Sequence, residues 1–293
     1  MVKGKSKGTK RSSSGGLVPE ASPPSKGTKK VKGGKKRRLK PAQASAEGAG
    51  PRTGVAVKAV KKRKLPKQPN PYPQLSCQEW MNHYPCVKRW MAQYRLRRLI
   101  QEGNGIVKIR DFLPPHVAHG VLKLLEAIPA KKWTPTEAAR DYQHNNISHQ
   151  FWSTKTARGL PDFFRVLSLL LPESLWTMST AKYVQSNHIE PHDDRAYTNV
   201  QMEDGSVHEC SREIGVIYYL TKDWKPEYGG HFVDREADGG PQAYVPEFNS
   251  LVAFTVPRWH EVTGVTTQRP RYSVFGWFLQ PGHLYPLQTG DGN

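Results

Sequence analysis

The chain has 293 residues, with 44 basic and 25 acidic side chains and three cysteines. Its +19 net charge sits at one end: residues 1–70 hold 21 basic and 2 acidic side chains, leaving 23 of each in residues 71–293. An odd, sparse cysteine count excludes a disulfide framework, no apolar run reaches membrane-spanning length, and the N-terminus lacks the apolar core of a secretory signal. A soluble intracellular protein that does not enter a membrane is therefore expected.

Residues 1–70 carry no Trp, Phe, Tyr, His or Cys. Such a segment cannot bury enough apolar surface to offset chain entropy, so a disordered basic tail is expected. Its densest clusters are Lys35-Lys36-Arg37-Arg38 and Lys61-Lys62-Arg63-Lys64. Two such clusters resemble a nuclear-import signal, with an import receptor as partner and the nucleus as destination, the cytoplasm being the alternative. They would equally contact nucleic acid or another polyanion, because Lys and Arg release counterions from phosphates.

Residues 71–103 read as a linker and a helical extension, with Trp90, Tyr94 and Arg98 on one stripe of a helix within 79–101 that Gly103-Asn104-Gly105 ends. Ile106–Ile109 reads as a short strand. Val117, Val121, Leu124 and Leu125 mark a helix over 115–128. Residues 129–159 show little regular pattern, with Trp133, Tyr142, Phe151 and Trp152 as anchors. A helix over 162–171 follows.

From Leu175 onward strands dominate: 176–183, 214–220, one beginning at 231–233, 250–256 and 271–279. Residues 196–213 look like a polar, insertion-like loop containing His208 and Cys210. The expected fold is mainly β with flanking helices, its core a double-stranded β-helix, the jelly-roll or cupin-like barrel, which places convergent side chains between two sheets. The expected catalytic domain spans 104–285, and 286–293 form a C-terminal tail.

Chemistry concentrates at His192-Asp193-Asp194. Residues two apart on a strand share a face, so His192 and Asp194 can meet one ion while Asp193 points away. One more histidine from a distant strand completes a two-His, one-carboxylate set that leaves positions open on Fe(II). His260, between the strands 250–256 and 271–279, is the candidate, with His231 as its rival. A His-x-acidic pair arises by chance about once in a chain with 11 histidines, and His188-Ile-Glu190 is a second case. Arg271 can grip a carboxylate through two parallel hydrogen bonds, with Ser273 on the same strand face and Arg269 as the competing cation.

Several segments together resemble the Fe(II)- and 2-oxoglutarate-dependent dioxygenases of the prolyl-4-hydroxylase-like superfamily. Tyr183 and Ile189-Glu-Pro-His-Asp-Asp194 are similar to the family's tyrosine and metal strand. Ile217-Tyr-Tyr-Leu220 with Gly229-Gly230, Pro246–Phe254 with His260-Glu-Val262, and Arg271–Phe278 follow in the family's order over about residues 104–282. The resemblance implies His192, Asp194 and His260 as iron ligands, Arg271 as the partner of 2-oxoglutarate, and Tyr183 and Ser273 as its helpers.

Ascorbate is a further cofactor candidate on the same ground. The pair near Phe248 is most similar to protein prolyl hydroxylases that act on a ribosomal protein. Ser186 stands where many relatives have glycine, and His231 where an acidic residue is common. The implied reaction is hydroxylation of an unactivated C–H bond, foremost of a prolyl residue in a protein substrate, with release of succinate and CO2. Nucleic-acid demethylation, small-molecule hydroxylation and a non-catalytic binding protein of this fold are the alternatives.

Overall fold

A computed structural model describes residues 74–137 and 149–287. The basic tail, its two clusters, the linker prolines, Tyr142 and residues 288–293 lie outside the described residues. Five α-helices and twelve strands follow one another among the described residues. Helices α1 (Cys77–Asn82), α2 (Tyr84–Met91) and α3 (Leu96–Glu102) precede β1 (Ile106–Ile109) and α4 (Pro115–Glu126). Then come β2 (Thr134–Glu137), β3 (His149–Thr154), α5 (Leu160–Ser168), β4 (Leu175–Tyr183), β5 (His188–His192), β6 (Tyr197–Gln201) and β7 (Val207–Tyr219). The chain ends with β8 (Phe232–Asp234), β9 (Gln242–Tyr244), β10 (Ser250–Thr255), β11 (His260–Val262) and β12 (Arg271–Pro281).

The single helix expected within 79–101 is three short ones. Ser76 and Glu79 form a reciprocal capping box at the start of α1. His83 ends α1 and accepts from the Cys86 N–H to start α2. Trp90 and Tyr94 do share a face. The indole N–H and the phenol both donate to the Phe112 carbonyl, at 2.9 and 2.5 Å. Arg98 lies outside that stripe, in an exposed pair with Glu102.

Helix α4 matches its periodicity. Val117, Val121 and Leu125 are fully buried, each contributing roughly 1.5–3 kcal/mol of transfer free energy. The region 129–159 holds two strands that its weak pattern concealed, since β2 and β3 pair with each other. Loop 196–213 is likewise a hairpin in which β6 pairs with the first half of β7.

The strands form a curled antiparallel sheet in the order β1-β10-β7-β12-β4-β3-β5-β11-β8-β9, with β2 and β6 attached at β3 and β7. Strand periodicity divides its two faces. On β12, Val274 and Phe278 join the helices in the main core, with Tyr272 against it. The alternate residues Arg271, Ser273, Phe275 and Trp277 line a cavity on the other face. Met178 on β4 and Ile214 and Tyr218 on β7 likewise face the helices. Ala181, Tyr183, Gly215 and Ile217 face the cavity. The fold is the expected helix-backed, curled β architecture.

Candidate active site

Strands β5 and β11 pair so that His192 lies directly opposite His260. Their ring centroids are 4.2 Å apart. Strand β5 ends at His192, so strand alternation does not deliver Asp194 as expected. The carboxylate turns back because Asp194 adopts a left-handed backbone conformation, φ 64°, which aspartate tolerates better than most residues. Its Oδ1 lies 3.4 Å from His192 Nε2 and its Oδ2 3.6 Å from His260 Nε2. One ligand atom from each of the three falls within 4.8 Å of the others, the one such group among the described residues.

Asp193, expected to face away, is buried. It accepts from the Arg195 backbone and pairs with the Arg195 guanidinium at 3.1 Å. His188 and Glu190 are not in the metal-competent group, and neither is His231, whose backbone is tied to Thr263.

Both histidines are set to ligate through Nε2. His192 Nδ1 lies 2.8 Å from the Glu190 carbonyl and His260 Nδ1 2.7 Å from the Arg258 carbonyl. A carbonyl only accepts, so each Nδ1 carries a proton, and in the neutral imidazole each Nε2 presents a lone pair.

Burial favours the neutral form of His192, but the hydrogen bond and charge of Asp194 outweigh it and raise the pKa. His260 is lowered to about 4, by burial first and then by its neighbour His192. Burial opposes ionisation of Asp194, yet its bond to His192 and the surrounding positive charge keep it well below the usual carboxylate range. An anionic oxygen donor and a neutral His260 imidazole result, while Asp194 favours the protonated form of His192, which must give up its Nε2 proton to ligate.

Two groups absent from the sequence-derived set complete the surroundings. Trp277 donates its indole N–H to Asp194 Oδ2 at 2.9 Å. Arg212 stacks on Trp277, 3.7 Å from the ring, and donates to the Asp194 carbonyl at 3.3 Å. Behind His260, Arg258 and Asp234 form a buried two-pronged ion pair at 2.8 and 2.7 Å, with Arg258 also bound to the Asn104 carbonyl. Nothing in the local pattern marked Arg212 or Asp234, because both act through partners distant in sequence.

The cavity lined by the curled sheet encloses about 740 Å³ counting its open mouth. His192, Asp194, His260 and Arg271 are all part of its lining. Arg271 is 1 % exposed. It donates to the Gly230 carbonyl and lies 3.9 Å over the Tyr183 ring. Three buried polar atoms here have no partner among the described residues: Arg271 Nε, Ser273 Oγ and Tyr219 Oη. Burial pushes the Tyr219 phenol up, so it remains a donor.

Buried polar groups left unpaired call for a ligand, and a cation with two hydroxyls suits a carboxylate. Arg269, the competing cation, is exposed and bound to the carbonyls of Lys222 and Asp223. The double glycine is required here. Gly230 has φ 64°, and a Cβ there would lie 3.2 Å from an Arg271 nitrogen. Ser186 also holds φ 70°, in a place where glycine would be unstrained.

Two imidazoles and one carboxylate that leave coordination positions open fit non-haem Fe(II), and the unpaired donors around Arg271 fit the distal carboxylate of an oxo acid. The family model described as the 2OG-Fe(II) oxygenase superfamily matches residues 178–279, which contain all of these groups. The segment 178–279 belongs to the 2OG-Fe(II) oxygenase superfamily. It is a 2-oxoglutarate-dependent dioxygenase.

Among solved structures, this oxygenase is similar to a Pseudomonas putida prolyl-4-hydroxylase at 20% identity, covering 67% of this chain and 100% of that one, TM-score 0.46. It is also similar to a Trichoplax adhaerens prolyl hydroxylase in complex with a hypoxia inducible factor fragment, at 18% identity, 67% and 91% coverage, TM-score 0.46. A third is a Burkholderia pseudomallei oxidoreductase of the 2OG-Fe(II) oxygenase family, at 16% identity, 64% and 90% coverage, TM-score 0.44. No curated protein sequence matches the oxygenase significantly.

Proposed function

We propose that the protein hydroxylates an unactivated C–H bond of a prolyl residue in a protein substrate. The observation that carries the reaction class is one cavity holding both the His192–Asp194–His260 group and the unpaired donors around Arg271. His192, Asp194 and His260 would ligate Fe(II). Arg271 would hold the distal carboxylate of 2-oxoglutarate, with Ser273, Tyr183 and Tyr219 lining its seat. When bound, Fe(II) and 2-oxoglutarate supply an oxidative decarboxylation that delivers one atom of dioxygen to the C–H bond and the other to succinate.

The chain's own contributions are positional. The two backbone carbonyls fix the imidazole tautomers, and the guanidinium neutralises a charge that water would otherwise have to solvate. The apolar side chains Phe151, Ile189, Val262 and Phe275 exclude water from the reacting centre. A prolyl target is supported by the likeness of Tyr183, the segment Ile189–Asp194 and the pair Phe248–Asn249 to protein prolyl hydroxylases. A protein rather than a polynucleotide is supported by the charge balance of residues 71–293, 23 basic against 23 acidic, which offers no broad field for phosphates. The basic first 70 residues would then address the enzyme to the nucleus or to a polyanion rather than bind its substrate.

The test compares cells carrying the wild-type chain with cells carrying Asp194→Ala, by mass spectrometry of digested proteins. A gain of one oxygen on a prolyl residue, seen only with the wild type, is the expected result. Oxidation confined to nucleosides or small metabolites would overturn the prolyl reading.

A further inference from the structure

Asp194 stands beyond the end of β5, so no strand ladder fixes its carboxylate. Three other observations bear on what does. Trp277 on β12 donates to Asp194 Oδ2. The Arg212 guanidinium on β7 lies over that indole, 3.7 Å from the ring centroid, with one nitrogen 3.3 Å from the Asp194 carbonyl and 3.7 Å from Oδ1. The Arg212 side chain is 11 % exposed and its Nε is unpaired.

The third observation is a strap formed by residues 282–285. The Tyr285 hydroxyl lies 2.9 Å from the Arg212 carbonyl and 3.3 Å from that of Ala196. Tyr197 donates back to the Tyr285 carbonyl. His283 stacks on Tyr197 at 4.0 Å and bonds Glu209 at 2.5 Å. Ser211 Oγ is linked to Gly282 and Leu284 at 2.6 and 2.9 Å. The strap therefore clips the β6–β7 hairpin at the residues flanking Arg212.

We infer that Arg212 and Trp277 are positioning residues that aim the Asp194 carboxylate at the metal, and that the 282–285 strap holds Arg212 in place through Tyr285. The inference rests on Asp194 being a ligand. A hydrogen-bond donor on Oδ2 and a cation 3.7 Å from Oδ1 limit the rotation of the carboxylate. Groups that orient a ligand in this way typically govern metal affinity by 10–100-fold.

The experiment measures Mn(II) affinity of the full chain by calorimetry, and the visible spectrum of the Co(II)-saturated protein, for Arg212→Gln, Arg212→Lys, Trp277→Phe and Tyr285→Phe. Arg212→Gln and Trp277→Phe should each weaken Mn(II) about tenfold and shift the Co(II) absorption at saturating metal. 2-Oxoglutarate affinity of the Mn(II)-saturated protein should stay within about twofold, since Arg271 is untouched. Arg212→Lys should recover part of the loss by restoring the charge, and Tyr285→Phe should show a smaller loss of the same kind.

Unchanged Mn(II) affinity and Co(II) spectrum in folded variants would overturn the inference. So would metal and 2-oxoglutarate affinities falling together with melting temperature. If Arg212→Gln does not fold, Trp277→Phe decides alone, because phenylalanine keeps the stacking face and removes only the donor. Asp194→Ala separates the two levels. Loss of Mn(II) binding there, with none in the other variants, rejects only the positioning role, whereas retention of Mn(II) binding rejects Asp194 as a ligand.

Discussion

Replacing Arg271 with methionine should separate stability from function. Arg271 is a buried cation with no carboxylate partner among the described residues. Its desolvation costs several kcal/mol. Stacking on Tyr183 at 3.9 Å returns about 2 kcal/mol, and the charged hydrogen bond to Gly230 roughly another 1.5–3. These effects nearly cancel, so Arg271→Met should change the stability of the ligand-free protein by no more than about 2 kcal/mol, or ~4–8 °C in melting temperature.

With Mn(II) present and 2-oxoglutarate at 100 times its dissociation constant, the wild type should gain about 2.7 kcal/mol, or ~5–11 °C. Losing the buried charged partner of the carboxylate costs roughly 2–5 kcal/mol of binding, at least ~30-fold in affinity. The same ligand concentration should then stabilise the variant by under about 1 kcal/mol. Scanning calorimetry with and without 2-oxoglutarate reads both effects. A variant that keeps the wild-type ligand-induced shift would refute the carboxylate seat.

Other outcomes follow from the same geometry. Protons and metal compete for Nε2 of His192, whose pKa is raised, whereas His260 stays neutral down to about 4. Mn(II) affinity should therefore be full above the His192 pKa and fall about tenfold per pH unit below it, with one proton taken up. A two-proton slope between pH 5 and 7 would contradict that assignment. Arg258→Met leaves Asp234 buried without its partner and should destabilise the fold by about 3–5 kcal/mol, lowering the thermal midpoint well beyond the effect of Arg271→Met. Gly230→Ala forces a Cβ into a left-handed position beside Arg271. It should weaken 2-oxoglutarate binding measured by calorimetry while leaving Mn(II) affinity near wild type.

Much of this architecture was legible in the sequence because its signals are local. The alternation of Arg271 and Ser273 named one face of β12, and the spacing of Val117, Val121 and Leu125 named the buried face of α4. The metal-competent residues were found by chemistry and order along the chain, yet the reason offered for Asp194 was incomplete. A left-handed residue beyond a strand end, rather than strand alternation, brings it back to His192.

What escaped the sequence depends on contacts between distant segments. Arg212 gains its meaning from Trp277, 65 positions later, and from a strap beyond β12. The hairpin of β6 and β7 has no apolar alternation because β6 is half-exposed or exposed throughout. Strands β2 and β3 were concealed for a related reason. Their pairing crosses a long polar interval, and no apolar pattern links the two ends.

The most direct test supplies the full chain with Fe(II), 2-oxoglutarate and isotopically heavy dioxygen alongside a digest of cellular proteins, and follows label into both products. Heavy oxygen should enter succinate and, in equal amount, a prolyl residue of a protein, with both signals lost in Asp194→Ala. Label that enters neither product, or that persists in Asp194→Ala, would contradict the central claim that His192, Asp194 and His260 form the oxidising centre.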